Sequence, residues 1–197
     1  GQCANFDQSS DNPAMLTADE FDVILLSLKV ALVSVVFSLP LALACAFLLA
    51  RSSFPGKTFF DAVVHLPLVL PPVVIGYALL LLFGRQGVIG ALLHDWLGIT
   101  LAFRWTGAAL AAAVMGFPLM VRSMRLSIEA VPARLEAAAR TLGASRWRAF
   151  YSITLPLAMP GIAVGVLLAF ARSLGEFGAT ITFVSNIPGE TQTLPLA

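Results

Sequence analysis

Apolar residues gather into four long runs, covering residues 23–50, 59–83, 106–121 and 155–177. A helix of roughly 20 apolar residues crosses a bilayer, so the pattern predicts four membrane spans. Pro40 is a candidate kink in the first. Pro67, Pro71 and Pro72 interrupt the second. A broken helix at membrane depth is tolerated where it is buried in protein or lines a cavity. The third run is rich in Ala and suited to close helix packing, and the fourth carries Gly161 and Gly165 in GxxxG spacing. Between the second and third runs, residues 84–105 read as a loop holding a short amphipathic piece, Val88–Leu97. Residues 178–197 form a tail with turn chemistry at Asn186-Ile187-Pro188-Gly189.

Composition agrees with the runs. Of 197 residues, 58% are hydrophobic and 12% charged, against about 25% charged in soluble domains. The net charge of +1 matters less than where the charges stand. Arg51, Lys57, Arg122, Arg125, Arg134, Arg140, Arg146 and Arg148 fall on one side of the spans, and only Arg85 and Arg104 on the other. The positive-inside rule puts the first group in the cytoplasm. The N-terminus, the 84–105 loop and the tail are then periplasmic. Lys29 lies near the outer end of the first span and can snorkel. Residues 1–14 are polar and patternless and read as a disordered tail before a single transmembrane domain of residues 15–197. No basic segment precedes the first run, so it does not read as a signal peptide. Cys3 and Cys45 are too far apart in sequence to suggest a disulfide framework or a zinc site, and Cys45 reads as a small buried hydrophobe. Gly56-Lys57-Thr58 resembles the end of a phosphate-binding loop, but Arg51 stands where that motif needs Gly.

The basic island, residues 122–152, has a structure of its own. Pro132 suits the first turn of a helix. Leu135, Ala138, Ala139 and Leu142 recur at helical spacing. Gly143 stands where a left-handed residue would end that helix, and Ser145 can cap a second one. Trp147, Phe150, Tyr151 and Thr154 share one face of the second helix, with Arg146 and Arg148 beside them, as in a helix at the membrane interface. Two further pairs stand at i, i+4. Asp61 and His65 read as a polar pair at the cytoplasmic end, since no nucleophile motif accompanies them. Arg172 and Glu176 read either as a structural pair or as part of a gate.

The island's grammar, Ala138-Ala139-Arg140-Thr141-Leu142-Gly143 followed by Ile153-Thr154-Leu155-Pro156, resembles the "EAA" coupling loop of bacterial ABC-importer permeases. The runs His65-Leu66-Pro67-Leu68-Val69-Leu70-Pro71-Pro72-Val73-Val74, Ser173-Leu174-Gly175-Glu176-Phe177-Gly178-Ala179-Thr180 and Asn186-Ile187-Pro188-Gly189-Glu190-Thr191 narrow the resemblance to the molybdate-importer permeases. They are less closely similar to sulfate/thiosulfate permeases. The resemblance covers residues 16–197. It implies an all-α integral membrane fold, a polytopic helical bundle with about four spans here plus a cytoplasmic coupling helix. It implies a bacterial inner-membrane homodimer served by two cytoplasmic ATP-binding subunits and a periplasmic oxyanion-binding protein. ATP then belongs to the partner, and this chain binds no cofactor, hydrolyses nothing and holds no metal; nothing points to nucleic acid. Carried over onto matching positions, Ala138, Ala139, Arg140, Leu142, Gly143, Ile153, Leu155 and Pro156 would couple to the ATPase. Arg172, Gly175, Glu176, Phe177 and Gly178 would form the gate or line the translocation path.

Two departures stand out. The family's Glu precedes Ala-Ala directly, whereas here that place is Ala137 and the acid is Glu136. One residue turns a side chain about 100° round a helix, so the family role is not carried to Glu136. Members also continue into another helix after Leu194-Pro195-Leu196, so a further helix is expected beyond this sequence. The rival readings are an ATP-independent anion transporter or channel, and a membrane enzyme. The second lacks HExxH, GxSxG or a telling Cys–His spacing.

Overall fold

The computed structural model describes residues 18–85, 87–98, 103–185 and 193–195. The tail 1–14 and the run Asn186–Thr191 lie outside the described residues. All regular structure among the described residues is helical: α1 (Ala18–Arg51), α2 (Lys57–Val69), α3 (Pro72–Phe83), α4 (Val88–Leu97), α5 (Trp105–Ala130), α6 (Ala133–Thr141), α7 (Arg146–Ala149), a π-turn (Phe150–Thr154), α8 (Leu155–Leu174) and α9 (Gly178–Val184).

The bundle is built round α5, which packs most extensively against α1 and α8. Its outer half buries small residues, among them Ala108, Ala111 and Ala112, and its inner half buries Met120, Val121, Met124 and Ile128. Small residues let helix backbones approach closely where lipid offers no competing hydrophobic drive. The GxxxG pair serves this contact. A Cβ at Gly161 would stand 2.3 Å from Ser127 Cβ, and one at Gly165 would stand 3.1 Å from the Met120 carbonyl oxygen. Ser123 Oγ donates to the Gly161 carbonyl at 2.8 Å.

Side-chain contacts fix the relative heights of the helices. Lys29 Nζ, about a third of the way along α1, sits 4.1 Å from the Trp105 ring at the start of α5. At the other end Arg51 donates to the Val131 carbonyl at 2.9 Å. The two helices therefore run parallel. The antiparallel α8 meets α1 through Ser34 and Ser173 hydroxyls 3.0 Å apart. Near the outer end the backbone N–H of Leu194 donates to Ser27 Oγ at 2.7 Å. Outside the bundle, large side chains such as Phe37, Val69 and Leu167 are exposed. That inversion suits a lipid solvent.

Among the described residues four segments are long and apolar enough to cross a membrane: Glu20–Arg51, Pro72–Leu92, Trp105–Ala130 and Arg146–Leu174. Three boundaries differ from the sequence expectation. The span expected at 59–83 is two helices, broken at Leu70, whose extended backbone precedes Pro71. α3 ends at Phe83, where Gly84 is extended, and the short amphipathic piece expected at Val88–Leu97 is the separate helix α4. The third span runs to Ala130 rather than residue 121, because Arg and Glu are good helix formers and Arg125 pairs with Glu129 at 2.8 Å. It stops at Val131, held extended before Pro132. The segment after Ser145 is not a separate interfacial helix: α7, the π-turn and α8 form one continuous rod. Cys45 is half-buried rather than fully buried.

The α5–α8 contact gives a direct test. Gly161→Ala forces a methyl group into the Ser127 side chain, and such overpacking costs about 1–3 kcal/mol. Thermal unfolding of the detergent-purified permease is expected at lower temperature for Gly161→Ala. An unchanged midpoint would show that the two helices are not held at this distance.

Candidate functional site

At the basic end of the bundle α6 and α7 form an exposed elbow. Gly143 takes the left-handed conformation, φ 88°. The Ala144 N–H donates back to the Ala139 carbonyl at 3.0 Å and the Gly143 N–H to the Arg140 carbonyl at 3.1 Å. Those two bonds define a Schellman helix end and satisfy carbonyls that the last turn would otherwise leave free. Ser145 then starts α7, its Oγ accepting from the Arg148 N–H at 3.2 Å. The turn predicted from Gly143 and Ser145 is thus present in both halves.

No residue of α6 is buried. Leu142 is 89% exposed and Trp147 70%, an apolar surface unusual on a solvated helix end. A hollow of about 580 Å³ opens between the end of α6 and the start of α7, lined in part by Ala137, Arg140 and Arg146. Ala138, Arg140, Leu142 and Gly143 lie on this exposed elbow, with Ala139 half-buried beside them. The second half of the motif sits elsewhere. Ile153 and Leu155 are half-buried in the π-turn and at the start of α8, with Pro156 exposed next to them.

The π-turn also corrects the expected shared face of Trp147, Phe150, Tyr151 and Thr154. Trp147 and Tyr151 stack outside, ring centroids 6.4 Å apart. Phe150 instead meets Phe47 of α1 edge-on at 4.7 Å, and Thr154 is fully buried. Pro156 explains the widened turn. It lacks the N–H that would bond to residue 152, and its ring would crowd that carbonyl. The Leu155 N–H bonds instead to the Phe150 carbonyl, five residues back.

Sequence reasoning left Glu136 without a role. In the structure its Oε1 lies 3.0 Å from Arg51 Nη2 and accepts a 2.5 Å hydrogen bond from Thr154 Oγ1. The one-residue offset that separates it from the family pattern turns it toward the bundle, while Ala137 faces out. The helical stripe read from sequence could not find it, because its partners lie in α1 and the π-turn.

At the other end α8 stops at Leu174 and α9 begins at Gly178. Glu176 is 2% exposed and joins the two. Its Oε1 accepts from the Ala179 N–H at 2.9 Å. Its Oε2 lies 2.5 Å from Arg172 Nη1, a close ion pair rather than an aligned hydrogen bond. A Cβ on Gly178 would stand 2.8 Å from Pro72 Cβ, and one on Gly76 would stand 2.6 Å from the Ala179 carbonyl. The break between α8 and α9 therefore presses against the break between α2 and α3. Gly175 and the half-exposed Phe177 complete this joint.

Asp61 and His65 belong to a third cluster. His65 Nδ1 lies 2.9 Å from the Asp61 carbonyl and 3.2 Å from its carboxylate. Asp61 Oδ2 pairs with Arg125 at 3.0 Å, tying α2 to α5. An open hollow of about 300 Å³ beside them is lined by Asp61, His65, Arg122, Arg125, Leu126 and Glu129, which include no hydroxyl or thiol nucleophile. The pair is part of an interhelical ion network.

A helical bundle of multiple spans with an exposed basic elbow at one end defines a polytopic membrane component. The family model described as "Binding-protein-dependent transport system inner membrane component" matches residues 38–197. The chain belongs to that family, a multi-pass inner-membrane transport subunit. It is 66% identical to the molybdenum transport system permease protein ModB of Escherichia coli K12 over 183 residues, which cover 93% of this chain and 80% of that protein. It is 61% identical to the protein of the same name from Haemophilus influenzae over 178 residues, 90% of this chain and 78% of that protein. The sulfate transport system permease protein CysW of Synechococcus elongatus is more distant, 41% identical over 89% of this chain and 61% of that protein. Among solved structures, a bacterial ABC transporter that imports the acidic polysaccharide alginate matches with a TM-score of 0.71 at 18% identity, covering 92% of this chain and 67% of that one. That match shows the shared permease fold.

The elbow's geometry makes a measurable demand on its sequence. A Cβ on Gly143 would touch nothing within 4 Å, so its cost is the backbone alone, about 1–2 kcal/mol. Gly143→Ala is expected to raise amide hydrogen exchange across residues 140–148 while leaving the membrane helices unchanged. Wild-type exchange there would show that the left-handed turn does not hold the elbow.

Proposed function

We propose that this chain is the membrane-spanning permease subunit of an ATP-driven importer of molybdate. It works as a homodimer with two cytoplasmic ATP-binding subunits, and a periplasmic binding protein delivers the oxyanion. The observation that carries the reading is the 66% identity, sustained over 93% of the chain, to a protein named for molybdenum transport. Sulfate permeases stand at about two-thirds of that identity. ATP hydrolysis belongs to the partner, which docks on the elbow of α6 and α7. The exposed Leu142, the small Ala138 and Ala139, and the basic Arg140 and Arg146 supply apolar contact, close approach and charge for that partner.

Alternating access needs a part of the membrane path that can open, and the joint of Arg172, Gly175, Glu176, Phe177 and Gly178 is the candidate. It is a place where two broken helices meet, and irregular backbone at membrane depth lies where it is buried in protein or lines a cavity. Glu176 neutralises Arg172 and holds the first turn of α9. Glu176→Gln is expected to lower oxyanion uptake while the complex still assembles. Wild-type uptake in that variant would remove the joint from the path.

The coupling reading is tested in proteoliposomes holding the permease, its ATPase subunits and the loaded binding protein. Molybdate is expected to stimulate ATP hydrolysis and to be taken up, with sulfate much weaker. Equal or stronger stimulation by sulfate would transfer the assignment to the sulfate class, and gradient-driven uptake without ATP would remove it altogether. Gly143→Val and Ala139→Trp should each weaken ATPase copurification and uptake without loss of the permease from the membrane. Normal association and uptake in both would show that the elbow is not the docking element.

A further inference from the structure

We infer that Glu136, Arg51 and Thr154 form an internal strut that transmits movement of α6 to α1 and α8. The inference rests on the ATPase docking proposed for the elbow, and concerns what happens behind the docked face. α6 buries no residue fully and packs chiefly against α7 and the π-turn, so little apolar contact fixes its direction. Thr141 spends its hydroxyl on its own helix, bonding the Ala138 carbonyl at 2.7 Å. Among the described residues, Glu136 is the one α6 side chain with a hydrogen bond or ion pair to another element.

Its partners are the inner ends of three membrane helices. Arg51 is the last residue of α1. The same Nη2 that meets Glu136 at 3.0 Å also donates to the carbonyl of Val131, the residue that ends α5, at 2.9 Å. Thr154 is fully buried and lies in the π-turn that leads into α8. Its hydroxyl meets the same carboxylate oxygen that Arg51 meets. One oxygen of α6 therefore joins α1 directly, α8 directly, and α5 through the shared guanidinium.

The chemistry favours transmission over simple anchoring. The half-buried carboxylate is held by one charge-assisted hydrogen bond, from Thr154, and by a close ion pair with Arg51. A tilt of α6 that lengthens one bond strains the other, so α1 and α8 follow together. The exposed elbow can be pushed from outside, while the strut faces inward, where the Thr154 end is closed to water. A residue on the docking face would change association with the partner. A strut residue changes the yield of transport from each ATP.

The test uses the complete complex in proteoliposomes: permease, ATPase subunits and binding protein, with molybdate as substrate. Three quantities are read: ATPase copurification, stimulation of hydrolysis by the loaded binding protein, and uptake per ATP hydrolysed. Glu136→Gln and Arg51→Gln are expected to copurify with the ATPase as wild type does. They should lose most of the stimulation and drop uptake per ATP by roughly tenfold, the effect of about 1.4 kcal/mol of lost coupling. The swap Arg51→Glu with Glu136→Arg should transport better than either of its single changes, because the pair is restored with its partners exchanged. Thr154→Val, nearly the same shape, should give a smaller loss of the same kind, and it carries the test if a charge variant fails to accumulate. Wild-type uptake per ATP in these variants overturns the strut. So does loss of ATPase copurification in them, which would put Glu136 on the docking face, or a swap no better than its singles. If the wild-type permease itself neither binds the ATPase nor requires ATP, the functional proposal fails before any variant is compared.

Discussion

In lipid, burying an apolar side chain against another helix gains little over leaving it among acyl chains, so helices associate through close contact and shared hydrogen bonds. That constraint shapes this bundle. α5 presents alanines and glycines to its neighbours, and α8 answers with Gly161 and Gly165. Ser123 bonds across the same seam to the Gly161 carbonyl. Once α5 and α8 are this close, their inner ends emerge side by side, and the chain between them has only a short path. The elbow occupies that path. Its position at the membrane surface is therefore a product of glycines buried well inside the bundle.

The same scarcity of lipid-compatible irregular backbone accounts for the other joint. The peptide around Leu70 and Pro71 departs from helix, and so does the peptide around Gly175 and Glu176. Each would be costly facing hydrocarbon. Here they face each other: Gly178 lies against Pro72 and Gly76 against Ala179. Glu176 meets the free N–H at the start of α9 and the charge of Arg172 together.

How much of this could be read in the sequence depended on how local its cause is. Gly143 was legible because a left-handed turn is a property of one residue and its neighbours, and Ser145 because a cap is equally local. The α1 and α8 runs were legible from hydropathy over a whole span. The end of α5 was misplaced because charge was taken as the stop signal, whereas Arg125 finds partners in Glu129 and Asp61 and the stop is Pro132. The break at Leu70 was anticipated as an interruption, and the short amphipathic piece at Val88–Leu97 stands as α4. Glu136 was out of reach for a different reason. Its meaning depends on Arg51, 85 positions earlier, and on a turn of α-helix that Pro156 widens into a π-turn.

That π-turn has a consequence for how α8 can change. It stores one residue more than an α-helical turn would, so it works like a phase shift in a screw thread. Trp147 before it and Tyr151 in its opening residues are indexed to the membrane surface; everything after it, including Gly161 and Gly165, is indexed to α5. Removing one residue between 150 and 154 would leave both halves intact and turn one against the other by about 100°. The two alignments are thus set independently, and the rod between them can be tuned at either end without disturbing the other.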